Sequence, residues 1–147
     1  MRELVGPLKR FAGGLAAAAL AVLAGLHFLW ATGSSWPAKD AGTISGGISG
    51  EGEVPGPFAC ISVGALLTLA SSFVGGLFQN HWIGRGGRFG VAVVLMVRGI
   101  AGVGGKTSRL VGRPTSEEFD HLDRRRYGPL CLILAVLILF SRPRLDN

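Results

Sequence analysis

An arginine inside an apolar run is the first residue that calls for chemistry. Arg98 stands in VLMVRGI, between Val97 and Gly99. A guanidinium at such a place costs about 2.5–3.5 kcal/mol on membrane-insertion scales and normally turns toward a partner inside a helix bundle. Its best partner by type is a carboxylate, which a guanidinium engages with two parallel hydrogen bonds. Asp123 is the first choice and Asp120 the second. His27 and Trp30 lie three residues apart, so they share one helical face. A histidine there can carry a proton or simply bond its neighbours. Tyr127 adds a hydroxyl. Cys60 and Cys131 form either a redox pair or two packing thiols. Arg124, Arg125 and Arg126 form a cationic run suited to lipid phosphates.

These residues have to be held by elements, and hydropathy names them. The chain has 147 residues, 16% of them charged, a net charge of +6 and a mean hydropathy of +0.44. Soluble domains average about 25% charged residues. The charge is concentrated between four apolar runs, at 11–31, 57–78, 89–105 and 127–141. A helix needs about 20 such residues to cross a hydrocarbon core. The expected fold is all-α: a four-helix transmembrane bundle with antiparallel neighbours, one domain over 1–147. The first run is read as a retained helix rather than a cleaved signal, because His27, Phe28 and Trp30 crowd any cleavage point. The fourth is short, so snorkelling arginines or local thinning would accommodate it.

Between the first two runs, 32–56 is rich in Gly, Ser and Pro and reads as a mobile loop. Before the fourth, 115–126 reads as a short interfacial helix. Thr115 and Glu118 have capping-box spacing, Phe119 and Leu122 dip into the interface, and Gly128–Pro129 break the direction afterwards. Gly14, Ala18, Ala21 and Gly25 in the first run, and Gly64, Thr68, Ser71 and Gly75 in the second, predict close helix packing. Trp30 and Trp36 at one level and Trp82 at the other suit interfacial belts.

In a chain of four passes, the end of the first helix, the start of the second, the end of the third and the start of the fourth share one side. His27, Trp30, Arg98, Asp123 and Tyr127 are therefore expected to form a polar cluster near one membrane face. Orientation is tied. With the N-terminus inside, the inner set is Arg2, Lys9, Arg10, Arg85, Arg88, Arg142 and Arg144. The outer set is Lys39, Lys106, Arg109, Arg113, Arg124, Arg125 and Arg126. The first helix usually dominates, which favours both termini in the cytoplasm of an inner-membrane, multi-pass protein.

Two glycine motifs are decoys. GIAGVGGKT has Ile100 where a phosphate loop needs glycine, and GRGGRFG has Phe89 where a dinucleotide loop needs one. No metal-ligand constellation, cofactor motif or nucleic-acid motif stands out.

The pattern F-x-x-L-D-x-x-x-Y-x-P-L-C is filled by Phe119, Leu122, Asp123, Tyr127, Pro129, Leu130 and Cys131. With His27, Trp30 and Arg98, it resembles the bacterial membrane family called domain of unknown function 3995, over nearly the whole chain. The resemblance implies four membrane helices and no established activity. Many relatives have serine at the place of Gly128 and an acidic residue soon after the arginine, where Gly102 stands here. That leaves Asp123 as the partner for Arg98. The expected role is binding of membrane lipid, a small amphiphile, a protein partner or a second copy through the polar cluster. The alternatives are a membrane enzyme using His27, Cys60 and Cys131, and a small transporter or channel subunit.

Overall fold

The computed structural model describes residues 2–36, 56–77, 80–112, 115 and 117–141, and it is all-helical over them. Helix α1 runs Arg2–Ala31, α2 Pro57–Gly75 and α3 Trp82–Val103. Two short helices follow, α4 at Thr107–Val111 and α5 at Glu117–Leu122. A π-helical turn at Asp123–Tyr127 then leads into α6, Gly128–Phe140. The expected loop at 32–56 falls largely outside the described residues, as do Pro114 and the side chain of Glu118.

Three of the helices are long and apolar enough to cross a membrane: Val5–Ala31 within α1, and all of α2 and α3. Helix α1 starts nine residues before the expected Phe11, because Leu8, Lys9 and Arg10 are good helix formers, and it accommodates Pro7 inside its length. Helix α2 stops three residues early. Gly76 adopts φ +106°, and the amides of Gly76 and Leu77 bond back to Phe73 and Ser72, a turn that glycine reaches without strain.

The expected break at Gly128–Pro129 does not occur. Tyr127 and Gly128 both keep right-handed helical angles, and the Gly128 amide bonds five residues back to Asp123. In a regular α-helix the Pro129 ring would strike the carbonyl of Arg125 and lack a donor for it. The widened turn absorbs that conflict and lets the helix continue. Glu117 to Phe140 is thus one helical rod, about 36 Å long at 1.5 Å per residue. The shortness of the fourth apolar run is a feature of hydropathy, not of the helix.

The long helices form an antiparallel ring in which α1 packs on α2 and α6, and α3 on α6 and α2. The core is Ala16, Leu20, Val74, Ala92, Leu134 and Ile138. A second, smaller cluster joins Trp30 to Cys60 near the other end.

The small-residue expectation is half right. In α1, Gly14, Ala18, Ala21 and Gly25 all face outward, and Ala12, Ala16, Leu20 and Ala24 are buried instead. Residues 16–19 are all alanine, so small size alone could not choose the buried face. In α2, Gly64 faces the Phe28 ring, Gly75 faces Ala17, and the Ser71 hydroxyl donates to the Ala17 carbonyl at 2.8 Å. Thr68 is exposed and bonds within its own helix.

Large apolar side chains cover the outside, among them Phe11, Val22, Leu66, Val94 and Val136. Trp36 and Trp82 are exposed as expected, whereas Trp30 is buried, held by its indole N–H donating to the Trp36 carbonyl at 2.8 Å.

Candidate functional site

Close approach of two backbones makes the site. Gly99 and Gly102 on α3 face Gly128 at the start of α6. A Cβ on Gly128 would lie 2.8 Å from the Val103 amide nitrogen, and one on Gly99 would lie 3.0 Å from the Gly128 carbonyl. Only glycine on both sides allows this approach. The π turn then aims Asp123 across the gap at Arg98.

Arg98 and Asp123 form a two-pronged ion pair. One guanidinium nitrogen, Nη2, donates to Oδ1 at 2.8 Å, and Nη1 donates to Oδ2 at 3.1 Å. The Thr107 hydroxyl, from the first turn of α4, donates to Oδ2 as well. A 3.4 Å contact joins Arg98 Nη1 to the Thr107 oxygen. Asp123 and Thr107 are sealed, at 1% and 2% exposure. A Cβ on Gly102 would stand 2.8 Å from Asp123 Oδ1 and 2.9 Å from Arg98 Nη1, so the missing side chain at 102 is the space the pair occupies.

Chemically the carboxylate is saturated. Both oxygens accept charge-assisted or hydroxyl donors, and neither is presented to an incoming molecule. Arg98 differs, because 27% of its side chain stays exposed. The pair is therefore a neutral latch between α3 and α6 whose arginine side chain stays partly exposed. Arg124, Arg125 and Arg126 are exposed on the same π turn, and Arg124 covers the glycine turn at Gly105, whose φ is +62°.

Of the other expected members, His27 and Trp30 sit elsewhere in the ring. His27 is half-buried on α1, with Nδ1 2.8 Å from the Leu23 carbonyl. That oxygen can only accept, so Nδ1 carries the proton. The His27 ring leans on Trp30, with centroids 5.0 Å apart. Among the described residues, neither hydrogen-bonds Arg98 or Asp123. Tyr127 is half-buried one turn beyond Asp123, its ring 6.2 Å from Phe119.

Phe119 is buried against this ring rather than dipping outward. The Thr115 hydroxyl donates to Asp120 at 2.6 Å, which occupies the second-choice partner of Arg98; the expected capping box with Glu118 lies outside the described side chains. Cys60 and Cys131 are not bridged to each other. Cys60 is buried beside Trp30 in the α1–α2 pair, and Cys131 is half-buried on α6.

Sequence reasoning missed two residues. Thr107 follows the glycine turn of a rejected phosphate-loop motif, and nothing in its spacing marks it. Arg88 was counted as a flanking charge, yet it is buried at the opposite end of the bundle. It donates to the Val74 carbonyl at 2.9 Å, the Ile138 carbonyl at 3.1 Å, the Ser141 carbonyl at 2.9 Å and the Ser141 hydroxyl. These carbonyls belong to the last turns of α2 and α6, where helices leave acceptors unmatched and attract cations. Nothing in the sequence marks it, because the third apolar run begins only at Phe89.

A family model described as a protein of unknown function, DUF3995, matches residues 20–138, a span that contains every residue of this site. No curated protein and no solved structure matches the chain.

Proposed function

The chain belongs to the DUF3995 family, whose description carries no activity, and from the geometry of the Arg98 site we propose that it is a multi-pass membrane protein that binds an anionic amphiphile headgroup at that end of the bundle. The observation that carries the reading is the asymmetry of the ion pair: Asp123 is 1% exposed and Arg98 27%. An arginine held in place by an inward carboxylate and still partly exposed is preorganised for a second anion and loses little freedom on binding it. Arg124, Arg125 and Arg126 add a cationic rim suited to phosphate. The apolar surface of α1, α2 and α3 suits acyl chains, and the two termini are assigned to the cytoplasmic side.

The test is retention of phosphatidylglycerol against phosphatidylcholine by the full-length protein, read by native mass spectrometry from mild detergent. Arg98→Gln is expected to lower phosphatidylglycerol retention at least about fivefold, the worth of one cation near a charged lipid surface. Asp123→Asn keeps the guanidinium and is expected to keep most of the binding. Unchanged retention in Arg98→Gln, at preserved helix content, refutes the proposal.

A further inference from the structure

At the opposite end of the bundle lies a second groove, between α3 and α6, with a volume of about 230 Å³. It is lined by Arg85, Arg88, Phe89, Ile138, Leu139 and Ser141. Its chemistry is divided along its length. Arg85, Arg88 and Ser141 supply charged and polar atoms. Phe89 and Leu139, 63% and 52% exposed, continue outward as an apolar wall. A groove with a cationic head and a greasy flank matches an amphiphile with an acidic headgroup.

Charge selects the class of amphiphile. Among the described residues, Arg88 donates to four oxygens, all of them carbonyl or hydroxyl, and none of these contacts cancels its positive charge. Lys9 sits at this end too, 5.5 Å above the Phe140 ring, next to Arg10 on α1. No carboxylate lies among the described side chains at this end. This contrasts with the Arg98 site, where Asp123 neutralises the arginine. An uncancelled cation in a low-dielectric setting draws an anion strongly.

We propose that this α3–α6 groove is a second lipid site, taking the phosphate of an anionic phospholipid at Arg85 and Arg88 and one acyl chain along Phe89 and Leu139. It is distinct from the Arg98 site, on the opposite side of the bundle, so the protein would hold an anionic lipid at each end. Exposed Trp82, one turn before Arg85, marks the depth at which a headgroup belongs.

The experiment is rebinding of phosphatidylglycerol to delipidated full-length protein, counted as adducts by native mass spectrometry. Phosphatidylcholine of the same chains and glycerol phosphate alone are the comparison ligands. The proposal expects Arg85→Gln to weaken phosphatidylglycerol binding about fivefold, and Leu139→Trp, which fills the groove without changing charge, to weaken it comparably. Arg10→Gln removes the same charge from the same end but does not line the groove, and is expected to weaken binding by less than about twofold. The Arg85→Gln loss should persist in an Arg98→Gln background, which separates this site from the first. Equal losses in Arg10→Gln and Arg85→Gln would mean a diffuse basic collar and overturn the proposal. So would equal binding of phosphatidylcholine, or full displacement by glycerol phosphate at matched concentration.

Discussion

Removing either side of the Arg98–Asp123 pair should not cost the same. Arg98→Gln leaves Asp123 as a charged group at 1% exposure with Thr107 as its remaining side-chain donor. Breaking a buried pair in that way typically costs about 3–5 kcal/mol. Asp123→Asn leaves an arginine whose side chain is already 27% exposed, so that its guanidinium can turn to water or headgroups. Its cost is expected nearer 1–3 kcal/mol, roughly that of a lost charge-assisted hydrogen bond. The double variant Arg98→Gln/Asp123→Asn removes both charges. It should be more stable than the sum of the singles implies by about 2 kcal/mol, within the range measured for residues in direct contact. The assay is a reversible unfolding titration in mixed micelles, followed by helix ellipticity, on the wild type and three variants. Additivity within about 0.5 kcal/mol would show that the two groups do not interact. A larger cost for Asp123→Asn than for Arg98→Gln would refute the asymmetry on which the binding proposal stands.

Further outcomes follow from packing. Gly128→Ala places a methyl group 2.8 Å from the Val103 amide, a backbone atom that cannot step aside. A loss of about 1–3 kcal/mol is expected in the same titration. Gly14→Ala meets nothing within 4 Å and should be neutral or gain up to about 1 kcal/mol from helix propensity. Arg88→Met keeps the length of the side chain but leaves the Val74 and Ile138 carbonyls without their donor. A loss of about 2–4 kcal/mol would show as a lower unfolding midpoint, and no loss would mean that the carbonyl clamp is idle. Cys131, half-buried, should react with a maleimide faster than buried Cys60. Mild oxidant should give no internal disulfide, and a reducible shift in the monomer band would support the redox reading.

The helix inventory was legible because hydropathy is a one-dimensional property. Uncharged runs of sufficient length must form helices when no water is at hand to satisfy the backbone. Arg98 was equally legible as a residue that needs a partner, since a charge in such a run is costly wherever the run lies. Asp123 followed from order along the chain, because antiparallel passes bring the end of α3 beside the start of the last helix. The Pro129 outcome was not legible. A proline after glycine breaks most helices, and only the widened turn anchored by the Asp123 carbonyl shows how this one continues.

What the tertiary structure alone decided is the rotation of each helix about its axis. A water-exposed helix declares its buried face by alternating polar and apolar residues. In α1 the residues on every side are apolar or small, so Ala16 and Ala18 look alike in the sequence although one is fully buried and the other exposed. The same degeneracy hid the inward turn of Phe119 and Trp30 and the capture of Arg88 by two helix ends. Those outcomes depend on how two surfaces interlock at the level of single glycines, and a linear pattern of uniform hydropathy contains no phase from which to read them.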